Sequence, residues 1–450
     1  MGMTKTVVSI EGESFLVNGK VLHQGQSYKG HSIEGLLFNS RMANAMSDDE
    51  NPSTRGVWAY LDGPFSAERN VSEFIAQLPE YNRHGLDAVC INMQGGSPQG
   101  YSWVQPWEIT AFNADGSIKP AWLERLDQII TACDELGMVV VLGLFYWKQT
   151  RVFKDEDAVK AAVTNTVDWL AERGARNVIM EIGNEVDLKF AHEIIEAARG
   201  DELIKLAQSH SEGRFDTPAK RLLVSTSLAF PNQPTDAHMA CADFLLLHGN
   251  ATHHPDSVRL LVSRYRANPA YRGQPLVFNE DDHFDFDKSD NNMLAAIEMH
   301  AGWGYFDYRM SRENYEYGYQ SLPVDWSIST DRKKGFFNLL KQVTGEDILA
   351  RTMATRQLSA DHGEYAVQYM LPSLGDQTGV DRRVLVMGAL TSMGDDVVLP
   401  LCAALDTPDA FLRRNIAVTL GYIGDSRAAA YLARLAASDS DEGVMSAATK

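Results

Sequence analysis

The chain has 450 residues, of which 44% are hydrophobic and 22% are charged, so it can bury a large core and is not disordered. Its length exceeds one ordinary domain of roughly 100 to 200 residues, which predicts one large domain and a second, smaller one. Acidic residues outnumber basic ones by 60 to 41, and the formal net charge of −19 disfavours nucleic acid and anionic membrane surfaces as partners.

The first residues and the cysteines bear on the compartment. Residues 1–20 contain no apolar stretch of about seven or more residues behind a basic segment, so no signal peptide is predicted. No run approaches the roughly 18 apolar residues of a spanning helix. We therefore expect a soluble, cytoplasmic protein; a secreted or periplasmic location stays open if a native leader has been replaced. The cysteines form no CxxC motif and are expected to be free thiols, mostly buried: Cys90, Cys133, Cys241 and Cys402.

The first predicted element is a hairpin between Phe15 and Leu22. Two short apolar runs flank Asn18-Gly19, a pair that tolerates the two positive φ angles of a type I′ turn. We expect this hairpin to close the floor of the barrel predicted from the segments that follow.

Eight apolar, β-rich runs follow the hairpin and alternate with longer stretches of helical period, which is typical of βα units and a parallel sheet. The predicted strands are 35–39, 86–92, 138–145, 177–183, 222–226, 243–247, 275–279 and 303–306. The predicted helices are 71–83, 122–136, 157–173, 191–206, 236–241, 256–267, 292–300 and 332–343. Eight such units over about 310 residues favour a closed (β/α)₈ TIM barrel. Because no GxGxxG follows the first strand, an open dinucleotide-binding sheet is a poor fit.

The pattern changes near Thr344, where strands stop and helices continue. An arginine-led helix and a Met/Ile-Gly-Asp turn recur with a period of 30, from Leu390 to Leu420. A period near 30 with paired helices predicts a solenoid, and these segments resemble HEAT repeats. We therefore predict a catalytic barrel with its hairpin at 1–343, a helical linker or degenerate repeat at 344–380, and HEAT-like repeats at 381–450. A further unit begins at Asp441, so the repeats are expected to continue in the native protein.

Two of the predicted strands are followed by Asn-Glu. The fourth run leads into Asn184-Glu185 and the seventh into Asn279-Glu280. Because the carboxyl ends of barrel strands meet at one face, both glutamates are expected at the same mouth. Glycoside hydrolysis needs one protonated and one ionised carboxyl in one cleft, which two glutamates supply. The sequence does not reveal their separation, so retention and inversion both remain open at this point.

These strand ends resemble the clan of (β/α)₈ retaining glycoside hydrolases that includes the family 5 cellulases and mannanases. The resemblance implies that Glu185 is the acid/base, that Glu280 is the nucleophile, and that Asn184 binds the sugar 2-hydroxyl. It also implies a site position for His248, although the clan's usual His-x-Tyr is here His248-Gly-Asn250. Arg41, just beyond the first predicted strand, is the candidate for the arginine that the clan holds near its nucleophile. No cofactor and no metal are implied.

Amide and aromatic side chains at other strand ends are suited to sugar hydroxyls and ring faces. Together with Asn184, His248, Arg41 and Asn250, the predicted substrate-binding residues are Asn92, Tyr146, Trp147 and Trp303. Packing inside the barrel is an equally good interpretation of the two tryptophans.

Three functions of different classes follow from the sequence. The first is a retaining β-glycosidase or endo-glycanase acting on a neutral glycan. The second is a catalytically retired, sugar-binding barrel that serves as a scaffold through its HEAT-like repeats, which are commonly protein-binding surfaces. The third is a metal-assisted hydrolase, disfavoured because neither HExxH nor a His-x-His after the first strand occurs. The expected partners are a carbohydrate substrate and a protein bound by the repeats.

Overall fold

The computed structural model describes residues 3–100, 104–250, 252, 254–345 and 367–449. The chain divides into two compact units, Met1–Gly345 and Glu346–Lys450.

The first unit begins with short antiparallel elements: β1 Val8–Glu11, β2 Ser14–Val17 and β3 Lys20–Val21, then β4 Ser27–Tyr28 and β5 His31–Ser32. Between β2 and β3 the backbone turns at Asn18 (φ 53°) and Gly19 (φ 73°), as the predicted type I′ turn requires. Val8 and Phe15 of this small sheet are buried against the lowest interior side chains of the barrel, such as Val139 and Leu246. The hairpin therefore lies at the floor of the barrel.

The barrel strands are β6 Asn39–Arg41, β9 Ala88–Asn92, β10 Val139–Tyr146, β11 Val178–Asn184, β12 Val224–Ser225 with β13 Ser227–Leu228, β14 Leu245–His248, β15 Leu276–Glu280 and β16 Gly304–Tyr305. A small hairpin of β7 Ala59–Tyr60 and β8 Gly63–Pro64 lies in the loop after β6. Parallel ladders run in the orders β12-β11-β10-β9-β6-β16 and β13-β14-β15. The two ladders adjoin at Thr226, and single parallel bridges join Val277 to Gly302 and Asp281 to Tyr305. This is the strand order of the predicted (β/α)₈ barrel.

The helices of this unit are α1 Ala67–Arg83, α2 Pro120–Glu135, α3 Glu156–Arg173, α4 Gly200–Ser211, α5 Asp236–Cys241, α6 Pro255–Ala267, α7 Asn292–Glu298 and α8 Asp331–Thr344. Local sequence explains their ends. The side chains of Ser66 and Asp155 accept hydrogen bonds from backbone amides in the first turns of α1 and α3. Gly174, with a left-handed φ of 71°, ends α3. Proline occupies the first position of α2 and α6, where its missing N–H has no cost.

Every second side chain of a strand points into the barrel. These inward side chains form an apolar floor and a polar mouth. The lower layer is apolar and buried: Leu37, Ala88, Cys90, Val139, Val141, Ile179, Leu223, Leu246 and Val277. Further along the strands, toward their carboxyl ends, the buried side chains are polar: Asn39, Arg41, Asn92, Glu181, Ser225, His248 and Asn279. The candidate site is therefore built on strand residues above a packed floor.

Several boundaries differ from the sequence predictions. The first strand is 39–41 rather than 35–39, so Arg41 belongs to the barrel interior and does not lie beyond the strand. The apolar run predicts a strand that ends at Asn39, but the polar Ser40 and Arg41 continue the strand because its end faces the barrel interior at the mouth. Residues 191–199 contain only a 3₁₀ turn, Glu193–Ile195, and α4 begins at Gly200. Trp303 directly precedes the eighth strand instead of beginning it.

The second unit is helical over its described residues. Its helices are Val367–Gly375, Val380–Met393, Val398–Ala404, Ala410–Ile423, Ala429–Ser438 and Glu442–Ala448. Leu390 and Leu420, one repeat period apart, are both buried in its core. Arg413 pairs with Asp439 through Nε–Oδ2 at 2.9 Å and Nη2–Oδ1 at 2.8 Å, which ties neighbouring repeat segments together.

One segment of the second unit departs from the expectation of no long apolar run. Arg382–Ala404 is long and apolar enough to cross a membrane by length and composition, with a mean hydropathy of 1.5. It is not one straight helix, because Gly394 (φ 61°) divides it and a 3₁₀ turn, Gly394–Val397, follows. Leu390 and Leu401 from its two halves are buried in the repeat core, as in a solenoid of helix pairs.

Candidate active site

Arg41 is the centre of a buried charge network at the barrel mouth. Its Nη1 lies 2.7 Å from Glu181 Oε2, its Nη2 donates to Asn184 Oδ1 at 2.5 Å, and its Nε lies 3.3 Å from Glu280 Oε2. Burial acts to lower the pKa of Arg41, but the charges of Glu181 and Glu280 outweigh it and raise that pKa. The guanidinium is therefore a fixed positive charge that reaches two strands at once.

Asn92 adjoins the same guanidinium. With its amide oriented so that both ends have partners, its oxygen accepts from Arg41 Nη2 at 3.3 Å and its nitrogen donates to the Ile91 carbonyl at 3.1 Å. A side chain at Gly143 would collide with this amide, since a Cβ there would lie 2.5 Å from an end atom of the Asn92 side chain. Asn92 thus contacts the network.

The sequence interpretation missed Glu181. Its oxygens accept from Ser227 Oγ at 2.6 Å and from Asn279 Nδ2 at 3.4 Å, besides facing Arg41. Burial works to raise the pKa of Glu181, but Arg41 and then His248 lower it below the ordinary range. A glutamate inside an otherwise apolar strand, Val-Ile-Met-Glu-Ile, was the available signal, because a buried charge must find a partner.

Glu280 ends β15 and is nearly inaccessible, with 5% of its side chain exposed. A register shift at Leu247/His248 sets His248 opposite Glu280. Glu280 Oε1 accepts from Asn250 Nδ2 at 2.7 Å, and His248 Nε2 lies 3.8 Å from Oε2. Burial raises the pKa of Glu280 and the charge of Glu185 adds to this, while His248, Arg41 and the Asn250 hydrogen bond oppose it.

Glu185 follows β11 with a left-handed backbone (φ 54°), an uncommon conformation for a residue other than glycine. Its amide donates to Ser227 Oγ at 3.1 Å, which helps to hold the turn. Its carboxylate Oε1 lies 3.0 Å from His248 Nδ1, and 16% of the side chain is exposed. Since that contact is a hydrogen bond, a proton lies between the imidazole and the carboxylate.

The two predicted catalytic carboxylates are close together. One oxygen each from Glu185 and Glu280 and a ring nitrogen of His248 lie within 4.8 Å of one another. Burial works to lower the pKa of His248, but the charge of Glu280 and the hydrogen bond that Nδ1 makes to the Glu185 carboxylate raise it. Three such groups could also ligate a metal ion, as could the adjoining set Asp281, Asp282 and His283.

Tyr146 ends β10 and Trp147 follows it, on one wall of the mouth. Tyr146 Oη lies 3.3 Å from Ser97 Oγ and accepts from Gln320 Nε2 at 3.4 Å, which links the loops after the second, third and eighth strands. Burial and then the charge of Glu280 raise the pKa of Tyr146, so its phenol stays protonated. Trp147 is partly buried, has φ 29° and carries Lys148 Nζ 4.8 Å from its ring centre.

Trp303 is the predicted site residue that the structure places elsewhere. It is fully buried, donates from Nε1 to Asp281 Oδ2 at 3.0 Å, and packs against Phe286, Tyr305 and Phe336. It lies before the last strand with its ring in the core between the barrel and α8. Of its two interpretations, barrel packing is the one that this environment supports.

Two segments of the chain match known families. Residues 77–199, which include Asn184 and Glu185, match cellulase (glycosyl hydrolase family 5). This match supports glycoside hydrolase as the enzyme class of the barrel. Residues 367–450 match HEAT repeats. Both resemblances predicted from the sequence are thereby confirmed, and so is the enzyme class of glycoside hydrolase. Glu280 lies outside the matched cellulase segment.

Several solved glycoside hydrolase structures are similar to this chain at low identity. The endo-1,4-beta-mannanase of Rhizomucor miehei is 10% identical, with a TM-score of 0.47, over 76% of this chain and 100% of that one. A putative glycoside hydrolase of Bacteroides vulgatus is 14% identical, with a TM-score of 0.45, over 73% and 59%. The exo-beta-1,4-mannosidase of Opitutaceae bacterium strain TAV5 is 12% identical, with a TM-score of 0.45, over 76% and 63%. None of the curated proteins matches the chain.

Proposed function

We propose that this glycoside hydrolase cleaves β-glycosidic bonds of an oligo- or polysaccharide with retention, by double displacement. Glu280 is the nucleophile and Glu185 the general acid/base. The observation that supports this most is the approach of their carboxylate oxygens to within 4.8 Å. Retaining enzymes hold the pair about 5 to 5.5 Å apart, whereas inverting enzymes leave about 6.5 to 9.5 Å for a water molecule.

In the first step a Glu280 oxygen bonds to the anomeric carbon while the glycosidic C–O bond breaks. Glu185 gives its proton to the leaving oxygen, and the sugar remains as an ester of Glu280. In the second step Glu185 takes a proton from water, whose oxygen attacks the anomeric carbon and releases Glu280. Two displacements on opposite faces restore the original anomeric configuration.

The surroundings of the two carboxylates support this assignment of roles. Glu280 faces the positive charge of Arg41 at 3.3 Å, which favours the ionised form that a nucleophile needs. Glu185 is more exposed than Glu280, so it can exchange protons with a leaving group and with water. Its hydrogen bond to His248 Nδ1 keeps a proton at this position of the site.

The substrate that we propose is a neutral glycan. Carboxylates outnumber cations in the network, and Arg41 is already engaged by Glu181, Asn184 and Glu280. A substrate carboxylate would therefore meet mostly negative charge. Asn92, Asn184 and Tyr146 are uncharged groups suited to sugar hydroxyls, and Trp147 provides a ring face.

The experiment is a panel of aryl glycosides and polysaccharides, followed by variants of each glutamate. We expect Glu280→Gln to lose activity by about 10⁴-fold or more on every substrate. Glu185→Gln should lose far less on an aryl glycoside with an activated leaving group than on a polysaccharide, because the activated group needs no proton. Proton NMR of the first product anomer should show the β form.

Other outcomes would overturn parts of the proposal. An α product would mean inversion. Activity that survives Glu280→Gln would exclude Glu280 as nucleophile. Glycan binding by calorimetry without hydrolysis of any substrate would favour the sugar-binding scaffold. Loss of activity with a chelator, restored by a divalent metal, would favour a metal-assisted reaction at Glu185, His248 and Glu280.

A further inference from the structure

The loop after β14 lies against the carboxylate of Glu280. His248, Gly249 and Asn250 occupy the place where the clan that this barrel resembles carries His-x-Tyr. The sequence interpretation assigned Asn250 to the substrate. In the structure its side-chain amide instead donates to Glu280 Oε1 at 2.7 Å.

The backbone of this loop is tightly placed against the nucleophile's strand. Gly249 N donates to the Glu280 carbonyl oxygen at 2.8 Å. A Cβ on Gly249 would lie 2.3 Å from Asp281 Oδ2, so a larger residue does not fit there without a shift. The close approach of two main chains aims the following side chain, Asn250, at the Glu280 carboxylate.

The two oxygens of Glu280 have different partners. Oε2 faces the cationic side of the site, Arg41 Nε at 3.3 Å and His248 Nε2 at 3.8 Å. Oε1 is held by the neutral Asn250 amide. Because both contacts are on one carboxylate, they fix its plane as well as its charge. Orientation matters here, since an attack on the anomeric carbon tolerates little misplacement.

The Asn250 hydrogen bond also opposes a strong burial effect. Burial is the largest influence on Glu280 and favours its protonated form, with Glu185 adding to it. The titratable groups that face Glu280 come from five strands or strand ends: Arg41, Cys90, Tyr146, Glu185 and His248. Asn250 adds a donor that cannot itself take up a proton near neutral pH.

We propose that Asn250 is a positioning residue that orients Glu280 and keeps it ionised for attack, in the place of a tyrosine hydroxyl. This rests on the proposed function, in which Glu280 is the nucleophile. An amide donor has a consequence that a phenol lacks, because it does not ionise at alkaline pH. The donor to Glu280 therefore does not titrate anywhere in the pH range in which the protein is folded.

The test compares pH profiles of kcat/KM for the full chain and for Asn250→Ala, Asn250→Asp and Asn250→Tyr. In Asn250→Ala we expect the acid limb to move up by about one pH unit, with kcat lower by about tenfold or more and KM little changed. Asn250→Asp, which adds a negative charge without a change of size, should move the limb further up. Asn250→Tyr should recover part of the rate and add a new alkaline limb.

The matched control is Asn268→Ala, which removes an amide that donates to Asp236 Oδ1 at 3.2 Å ahead of β15, at the opposite end of that strand from Glu280. Its profile should coincide with that of the wild type. An Asn250→Ala variant with a higher KM and an unmoved acid limb would overturn the proposal and return Asn250 to a substrate-binding role.

A second measurement separates this inference from the proposed function. Titration of ¹³C-labelled glutamate carboxyls by NMR, with the Glu280 signal assigned by its loss in Glu280→Gln, needs no substrate. An upward shift of the Glu280 transition in Asn250→Ala supports the Asn250–Glu280 contact even if no glycan is hydrolysed. An unchanged transition in a folded variant contradicts it whatever the activity is.

Discussion

Arg41 and Glu181 form a fully buried ion pair, with Nη1 and Oε2 2.7 Å apart and only 1% of each side chain exposed. The pair joins the first and fourth barrel strands directly beneath the proposed catalytic carboxylates. Two charges buried together cost much desolvation, so the pair is not expected to add net stability over an apolar equivalent. Its role is to place a positive charge next to Glu280.

Removal of the arginine alone should be strongly destabilising. We expect Arg41→Met to lower the free energy of unfolding by about 3 to 5 kcal/mol at pH 7, because Glu181 is left buried and ionised without its cation. The folded-state pKa of Glu181 is lowered, so the stability that it contributes is present above its unfolded pKa of about 4.3 and is lost as pH falls. The Arg41→Met effect should accordingly shrink toward pH 4.

The measurement is a double-mutant cycle. Urea unfolding gives the free energies of unfolding of the wild type, Arg41→Met, Glu181→Gln and the double variant. We expect the double variant to be more stable than Arg41→Met alone, with a coupling energy of about 2 kcal/mol or more. If the two single effects simply add, the pair is not coupled and this account of the network is wrong.

His238 predicts an acid-sensitive element away from the active site. Its ring is buried in α5, and among the described residues neither ring nitrogen has a hydrogen-bond partner. Burial lowers the pKa of His238 to about 4, against which the charge of Asp201 acts only weakly. The unfolded chain therefore binds a proton near pH 6.5 that the folded chain takes up only near pH 4.

Because the unfolded state binds more protons in that window, stability should fall as pH decreases from 6.5 to 4, by up to about 3 kcal/mol from this residue. His238→Leu should remove this slope and raise the free energy of unfolding at pH 7 by about 1 kcal/mol, since two buried, unpaired nitrogens are lost. The check is unfolding at several pH values. Parallel curves for the wild type and the variant would show that His238 is not responsible.

Variants of Trp303 and Trp147 test whether the buried ring serves the core and the more accessible ring serves the site. We expect Trp303→Phe to cost about 1 to 3 kcal/mol of stability, because Asp281 loses its indole donor and the ring cluster loses contacts. Its KM should stay within about threefold of the wild type. If Trp147 stacks on the sugar as proposed, Trp147→Ala should instead raise KM by about tenfold with a smaller loss of stability.

Thermal unfolding and steady-state kinetics on both variants supply the comparison. A large KM increase in Trp303→Phe, with wild-type stability, would mean that Trp303 binds the substrate and that its role is not confined to core packing.

Much of the barrel was predictable, because its strands are short apolar runs bounded by polar residues. Seven of the eight predicted strands correspond closely to observed ones, and the Asn-Glu strand ends lie at one mouth. The first strand was misplaced because its residues Asn39, Ser40 and Arg41 are polar and yet buried. Polar residues after an apolar run usually indicate that a strand has ended. At the mouth of a barrel they can instead belong to the strand and point into the interior, where the site lies.

The partners within the site were less predictable, because they depend on contacts between distant strands. Glu181 and Arg41 are 140 residues apart, and no spacing in the sequence pairs them. The register shift at Leu247/His248 that sets Glu280 opposite His248 leaves no trace in a single sequence. The role of Asn250 was likewise hidden, since an asparagine after a strand suits a sugar hydroxyl as well as a carboxylate.

The most direct test of the central claim is covalent trapping of the nucleophile. The enzyme is incubated with the activated 2-deoxy-2-fluoro glycoside of the sugar that the substrate panel identifies, and intact and peptide masses are then measured. The account predicts one added glycosyl group, located on Glu280 and absent in Glu280→Gln. A label on any other residue, or an enzyme that hydrolyses the parent glycoside and is never labelled, would contradict it.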